Sequence, residues 1–89
     1  MTDSSHKLIL FVSGMSVKSV HAVENLNTIL NEHFQKKFSL EIVDINKNRS
    51  KAFEYDIFAI PTLIKLEPQP RRIIIGDLSD TDKVLKSLD

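Results

Sequence analysis

The sequence predicts a single α/β domain: a four-stranded mixed sheet with helices on both faces, in the order βαβαββα. Three observations carry this. Leu8-Ile9-Leu10-Phe11-Val12 is an unbroken apolar run closed by Ser13-Gly14, the pattern of a central strand buried on both faces. An apolar stripe at helical spacing follows it, and then an alternating strand, which together make a βαβ unit. Near the other end, Pro68-Gln69-Pro70 joins two apolar runs too closely for anything but an antiparallel hairpin.

Each element has its own signal. In the first helix, Ala22, Val23, Leu26, Ile29, Leu30, His33 and Phe34 draw one stripe, with Ser16 or Ser19 as cap and an end expected near Lys36-Lys37. Phe38-Ser39-Leu40-Glu41-Ile42 alternates, and Val43-Asp44-Ile45 continues the second strand. Asn48 is placed to cap a short helix through about Asp56, with Phe53, Ala52 and Ile57 as its core contacts. Ile60 to Leu66 reads as a strand opened by Pro61, and Arg71 to Ile75 as its return, stopped by Gly76-Asp77. Ser79 is the expected cap of a last helix, with Asp80 and Asp82 in its first turn and Val84, Leu85 and Leu88 on its apolar face. Residues 1–6 read as a flexible polar tail and 7–89 as the domain. The predicted architecture is thioredoxin-like.

Composition narrows the chemistry. The 89 residues carry 12 Lys+Arg against 12 Asp+Glu, so the formal net charge is zero. Phosphate binding wants a cationic excess, so a nucleic-acid partner is not expected. Zero net charge also leaves little repulsion between copies, which mildly favours self-association. The sequence contains no cysteine, which excludes disulfides, thiolate metal sites and thiol redox chemistry. No apolar run is long enough for a signal peptide or a membrane span, so no membrane is expected and the chain reads as cytoplasmic. Asn48-Arg49-Ser50 fits a glycosylation acceptor only by chance in that setting.

In this architecture, chemistry sits where the first strand meets the first helix, here Ser13-Gly14-Met15-Ser16. A serine there can orient a glutathione thiolate, or simply cap the helix. Pro61, opposite that corner, either follows a cis peptide bond or only starts a strand. His21 and His33 are twelve residues apart on one helix, about 18 Å along its axis, and cannot share an ion, so no metal is expected. His6 falls in the tail. Arg71-Arg72 can grip a phosphate or carboxylate, or open a solvated strand. Nothing assembles a nucleophile, base and oxyanion site, and no cofactor is expected. The residues describe a binding module rather than an enzyme.

Read together, the motifs resemble the KaiB family of circadian clock proteins. Leu8 to Gly14, Ser19-Val20, Leu26-Asn27-Thr28-Ile29-Leu30, Ile42-Val43-Asp44-Ile45 with Lys47-Asn48, Pro61-Thr62-Leu63, Pro68 to Arg72, Ile74 to Ser79, Lys83-Val84-Leu85 and Leu88-Asp89 match in order and spacing. The resemblance implies a non-enzymatic partner that binds and modulates KaiC-type, RecA-like ATPases in a clock-like or stress-response system. It also implies a second accessible fold, βαββααβ, which forms tetramers, so that self-association to a dimer or tetramer is expected; such a pair is plausible where two packings differ by a few kcal/mol. The implied partner surface is the second strand and Lys47 to Thr62, with His21, Glu41, Lys47, Asn48 and Asp56 as candidates. Gly14, Pro61, Gly76, Ser79 and Ser87 are the structural positions. Where clock members carry lysines, this chain has Glu41 and Asp56; His21 replaces an arginine and Ser87 a glycine. These departures suggest a divergent member from outside the cyanobacteria. A glutathione-binding or redox-related domain without a catalytic cysteine is the alternative. A histidine-kinase sensor domain is a third reading, and would be expected to carry an attached kinase.

Overall fold

Residues 6–35 and 37–89 are described by a computed structural model. The elements are β1 (His6–Val12), α1 (Val17–His33), β2 (Phe38–Asp44), α2 (Arg49–Glu54), β3 (Thr62–Glu67), β4 (Arg72–Ile75) and α3 (Thr81–Leu88). The sheet order is β2-β1-β3-β4. β1 pairs parallel with β2 and antiparallel with β3, and β3 pairs antiparallel with β4. This is the thioredoxin-like arrangement.

The central position of β1 explains its unbroken apolar run. Leu8, Leu10 and Val12 face α1 and α3, packed with Leu26, Leu30, Leu63, Ile74, Val84 and Leu88. Ile9 and Phe11 face the other way, with Val43, Ile64 and the residues around α2. A strand covered on both sides has no position where a polar side chain meets water.

α1 is capped by Ser16, whose hydroxyl accepts from the Ser19 amide. Ser19 is buried within the helix instead. The helix ends at His33, earlier than the expected Lys36-Lys37. The amides of Phe34 and Gln35 both bond back to the Leu30 carbonyl, and Gln35 turns with φ +43°. The reason is tertiary. Phe34 packs against the core and meets the His6 ring edge-on at 4.6 Å, and the chain must return at once to set Phe38 beside His6. His33 is therefore exposed, off the buried stripe. Lys36 lies outside the described residues, as do residues 1–5 of the expected tail. His6, read as part of that tail, opens β1, and its Nε2 hydrogen-bonds the Leu88 carbonyl at 2.6 Å.

Three further expectations are corrected. Phe53 is not a core contact but 86% exposed. The inward side of the α2 region is made by Ala52, Tyr55 and Ile57, and a residue one position from Ala52 projects about 100° away. Ser79 is not the cap of α3; Asp80 is, its carboxylate accepting from the Lys83 amide at 3.2 Å. The Ser79 amide instead donates to Asp77 Oδ1 at 3.1 Å and shapes the preceding turn. Ile42 is 47% exposed because β2 is an edge strand. Asn48 caps α2 as expected, accepting from the Lys51 amide.

Gly14 and Gly76 have φ of +50° and +120°, a region where side chains are strained, so both structural assignments have a backbone cause. The Ile60–Pro61 bond is cis, as are Glu67–Pro68 and Gln69–Pro70. Ser87 lies in α3, its hydroxyl donating to the Lys83 carbonyl at 3.0 Å. Ser87→Gly is expected to loosen α3 by about 0.5 kcal/mol, the difference in helix propensity. Amide exchange across residues 81–88 should quicken about twofold, while β1 and β3 amides stay unchanged. No change in α3 would refute the assignment.

Candidate functional site

The β1–α1 corner is a closed polar network rather than a reactive centre. The Ser13 amide donates to Ser19 Oγ at 3.0 Å, and the Ser16 hydroxyl donates to the same oxygen at 2.8 Å. Asp44 Oδ1 accepts from the amides of Gly14 and Asn46 at 3.2 and 3.0 Å. Asn46 Nδ2 then reaches Ser13 Oγ at 3.2 Å. Each serine is occupied in holding the turn, and the carboxylate of the network, Asp44, accepts from backbone amides rather than from a serine hydroxyl. Beside it, Met15 and Val17 stand exposed. Pro61 is buried opposite, and its carbonyl accepts the Gly76 amide at 3.0 Å, so it also ties β3 to the end of β4. Among the described residues no group of three histidines, cysteines or carboxylates could hold a metal ion.

The partner-binding candidates divide between two layers. Glu41 on β2, Lys47 and Asn48 before α2, and Asp56 after it all belong to the α2 side of the sheet. His21 projects from α1 on the opposite layer, beside Asp77, and the fold does not bring it to the others. Glu41 is not a free anion. Lys51 Nζ lies 3.1 and 3.2 Å from its two carboxylate oxygens. This hydrogen bond holds the Lys51 ammonium above its ordinary value, but the pair is open to water and adds little stability. Asp56 is exposed and turns the chain with φ +54°. Asp77 is held below the usual carboxylate range, first by the Ser79 hydroxyl and then by its backbone N–H.

The largest feature of the α2 side was not legible beforehand. A six-residue helix cannot span four strands set about 4.8 Å apart. β4 is left bare, with Ile73 and Ile75 59% and 62% exposed. Beyond α2, Phe58 is 94% exposed at the mouth of an open groove of about 360 Å³, floored by Tyr55, Ile57, Ile73 and Ile75. The Arg71 guanidinium closes one end, 5.8 Å over the Tyr55 ring. Phe58 sits in a stretch with no periodicity. Its only signal was an aromatic residue beside a charged turn.

Comparison with known proteins follows this geometry. Residues 9–89 match the family model described as the KaiB domain. The circadian clock oscillator protein KaiB of Cyanothece sp. is 47% identical over 85 residues, covering 96% of this chain and 81% of that protein. KaiB of Microcystis aeruginosa is also 47% identical, covering 96% and 82%. Among solved structures, the N-terminal domain of Synechococcus elongatus SasA aligns with a TM-score of 0.81 at 24% identity, covering 99% of this chain and 83% of that one. The Deadhead thioredoxin of Drosophila melanogaster aligns with a TM-score of 0.75 at 15% identity, covering 94% and 78%. The two structural likenesses share the fold; the sequence matches run nearly the whole length of the chain, and the chain belongs to the KaiB family.

Proposed function

We propose that this chain is a non-enzymatic clock-type regulator that docks on a KaiC-type ATPase and modulates it. The observation that carries this reading is 47% identity across 96% of the chain to proteins named as circadian clock oscillator KaiB. The chemistry agrees with it. The sequence offers no thiolate for redox work, and the serines of the β1–α1 corner are spent on capping. The docking surface is β2 together with residues 47–62, the segment that presents Phe53 and Phe58 to solvent. A glutathione-binding role has no comparable support.

Charge then decides which ATPase is favoured. The surface carries Glu41, Glu54 and Asp56, with Glu41 part-neutralised by Lys51. A partner shaped for lysines at positions 41 and 56 is penalised by these acids. Pull-down and anisotropy with purified ATPases test this. Tight binding to a KaiC-like ATPase from the same source is expected, with weaker binding to a cyanobacterial KaiC. Glu41→Lys and Asp56→Lys should each raise affinity for the latter roughly two- to fivefold, the span of exposed charge contacts. Tight binding to the cyanobacterial protein, with none to the ATPase of its own source, would overturn the reading.

A further inference from the structure

We propose that the groove between Phe58 and the bare face of β4 is a ligand site for an apolar monocarboxylate of the medium-chain fatty acid class, in which Arg71 holds the carboxylate and Ile73 and Ile75 carry the chain. The proposal does not depend on the ATPase reading.

The groove has the size and lining of a small-molecule site. Its volume of about 360 Å³ falls within the roughly 300–1,000 Å³ of ligand clefts, and its floor is apolar. Strand alternation sets Ile73 and Ile75 on one face of β4 and the buried Ile74 on the other. The same alternation brings Arg71 to the side of Ile73 and Ile75, and all three line the groove. Extended backbone from Arg71 to Ile75 runs about 13 Å, so the floor is a narrow apolar track with a cation at one end. Ile57 and Phe58 stand along it. Phe58, Ile73 and Ile75 are all mostly exposed. Apolar surface left in water is unfavourable, and a hydrocarbon chain laid along the track removes part of it.

The polar groups select the head of the ligand. The Arg71 guanidinium lies 5.8 Å over the Tyr55 ring, which orients its plane. Among the described residues no carboxylate is within ion-pair distance of it. A held guanidinium without an anion of its own matches a planar carboxylate, which takes two parallel N–H donors. Larger heads fit less well. The Thr62 hydroxyl donates to the Ala59 carbonyl at 2.6 Å, so its proton is not available to a second polar group on the ligand. Asp56 lines the same groove, and its negative charge opposes a second anionic group, which disfavours phosphates and dicarboxylates. One cation, one opposing anion and an apolar track leave a monoanion with a hydrocarbon tail.

Titration of the full chain with decanoate, followed residue by residue by NMR, tests this. A single site with a Kd on the order of 100 μM is expected, within the range for a ligand of about a dozen heavy atoms. The shifts should be confined to Arg71, Ile57, Phe58, Ile73 and Ile75. Octanoate should bind about four- to sixteenfold more weakly, because each methylene carried by the track contributes about a two- to fourfold factor. Decanol, with the same chain and no charge, should bind at least fivefold more weakly than decanoate. Arg71→Gln, at an exposed position, should weaken decanoate at least fivefold and leave decanol unchanged. Ile73→Thr, which keeps a β-branched residue in the strand, should weaken both. No saturable shift up to about 5 mM decanoate would overturn the proposal. So would equal affinity for decanol and decanoate, or an Arg71→Gln variant that binds decanoate as before. Shifts as large at Met15 and Phe53 as in the groove would mean detergent-like adsorption and would overturn it equally.

Discussion

Phe11→Ala is expected to destabilise the domain by about 3–5 kcal/mol, the range for emptying a large aromatic from a core. The whole domain, at 89 residues, is worth roughly 4–13 kcal/mol by the usual per-residue margin. The variant should therefore lose between about a quarter and all of its margin against unfolding. The position decides the size of the effect. Phe11 is fully buried on the α2 side of the central strand. It packs with only three other buried residues there, Ile9, Val43 and Ile64. Its ring meets Tyr55 at 5.9 Å, and Tyr55 closes the end of α2. Removing the ring takes away the main surface that holds this short helix down. The other core is larger, but it lies across the sheet and cannot move to fill the space. Urea unfolding followed by circular dichroism gives the measurement. Ile42→Ala, on an edge strand and half exposed, is the matched control and should cost under about 1 kcal/mol. Equal losses in the two variants would mean the α2-side cluster does not carry the load argued for it.

The contrast between these two isoleucine and phenylalanine positions also marks what was legible in the sequence. Features set by local spacing could be read directly. The run at Leu8–Val12, the α1 stripe, the Asn48 cap and the proline-linked hairpin all fall within a dozen residues of their own cause. Features set by contacts across the chain could not. Phe34 looks like one more step of the α1 stripe, and only the return to β2 beside His6 explains why the helix stops there. Lys65 reads as an outward position on a strand, yet it is fully buried, its ammonium reaching the Asp89 carbonyl at 3.2 Å. His6 is bound to Leu88, at the other end of the sequence. Leu78 is buried with φ +64°, a conformation that nothing in a leucine announces. Adjacent residues of equal capping strength are also indistinguishable by pattern, which is why Ser79 and Asp80 exchanged roles.

The candidate site was less legible than the fold for a related reason. Six residues of α2 give under two turns, too few for periodicity to fix which side faces inward. By sequence alone Phe53 therefore reads as a core residue, whereas it is 86% exposed. The polar candidates Glu41, Lys47, Asn48 and Asp56 came from family resemblance. Only the fold reveals that Lys51 answers the charge of Glu41, or that the short helix leaves the β4 half of its face uncovered.

Phe58→Ala is expected to lower affinity for the KaiC-type ATPase about 10- to 100-fold while leaving the fold intact. Phe53→Ala should act in the same direction with a smaller loss, since it is the less exposed of the two. Neither ring contributes to the core, so truncation should change stability by no more than about 0.5 kcal/mol. An aromatic ring held almost wholly in water is unfavourable for the isolated domain, and burial against a partner recovers that cost. The two rings sit five residues apart with Glu54 and Asp56 between them. A matching surface therefore has an apolar pocket with a cationic rim. Affinity should fall as salt rises, because the rim charges are screened, while the loss caused by Phe58→Ala should persist at high salt because burial is not. Lys86→Ala, exposed on α3, serves as the neutral control. Unchanged affinity in Phe58→Ala, with binding to the wild-type chain established in the same assay, would remove residues 47–62 from the docking surface and leave the ATPase reading itself standing.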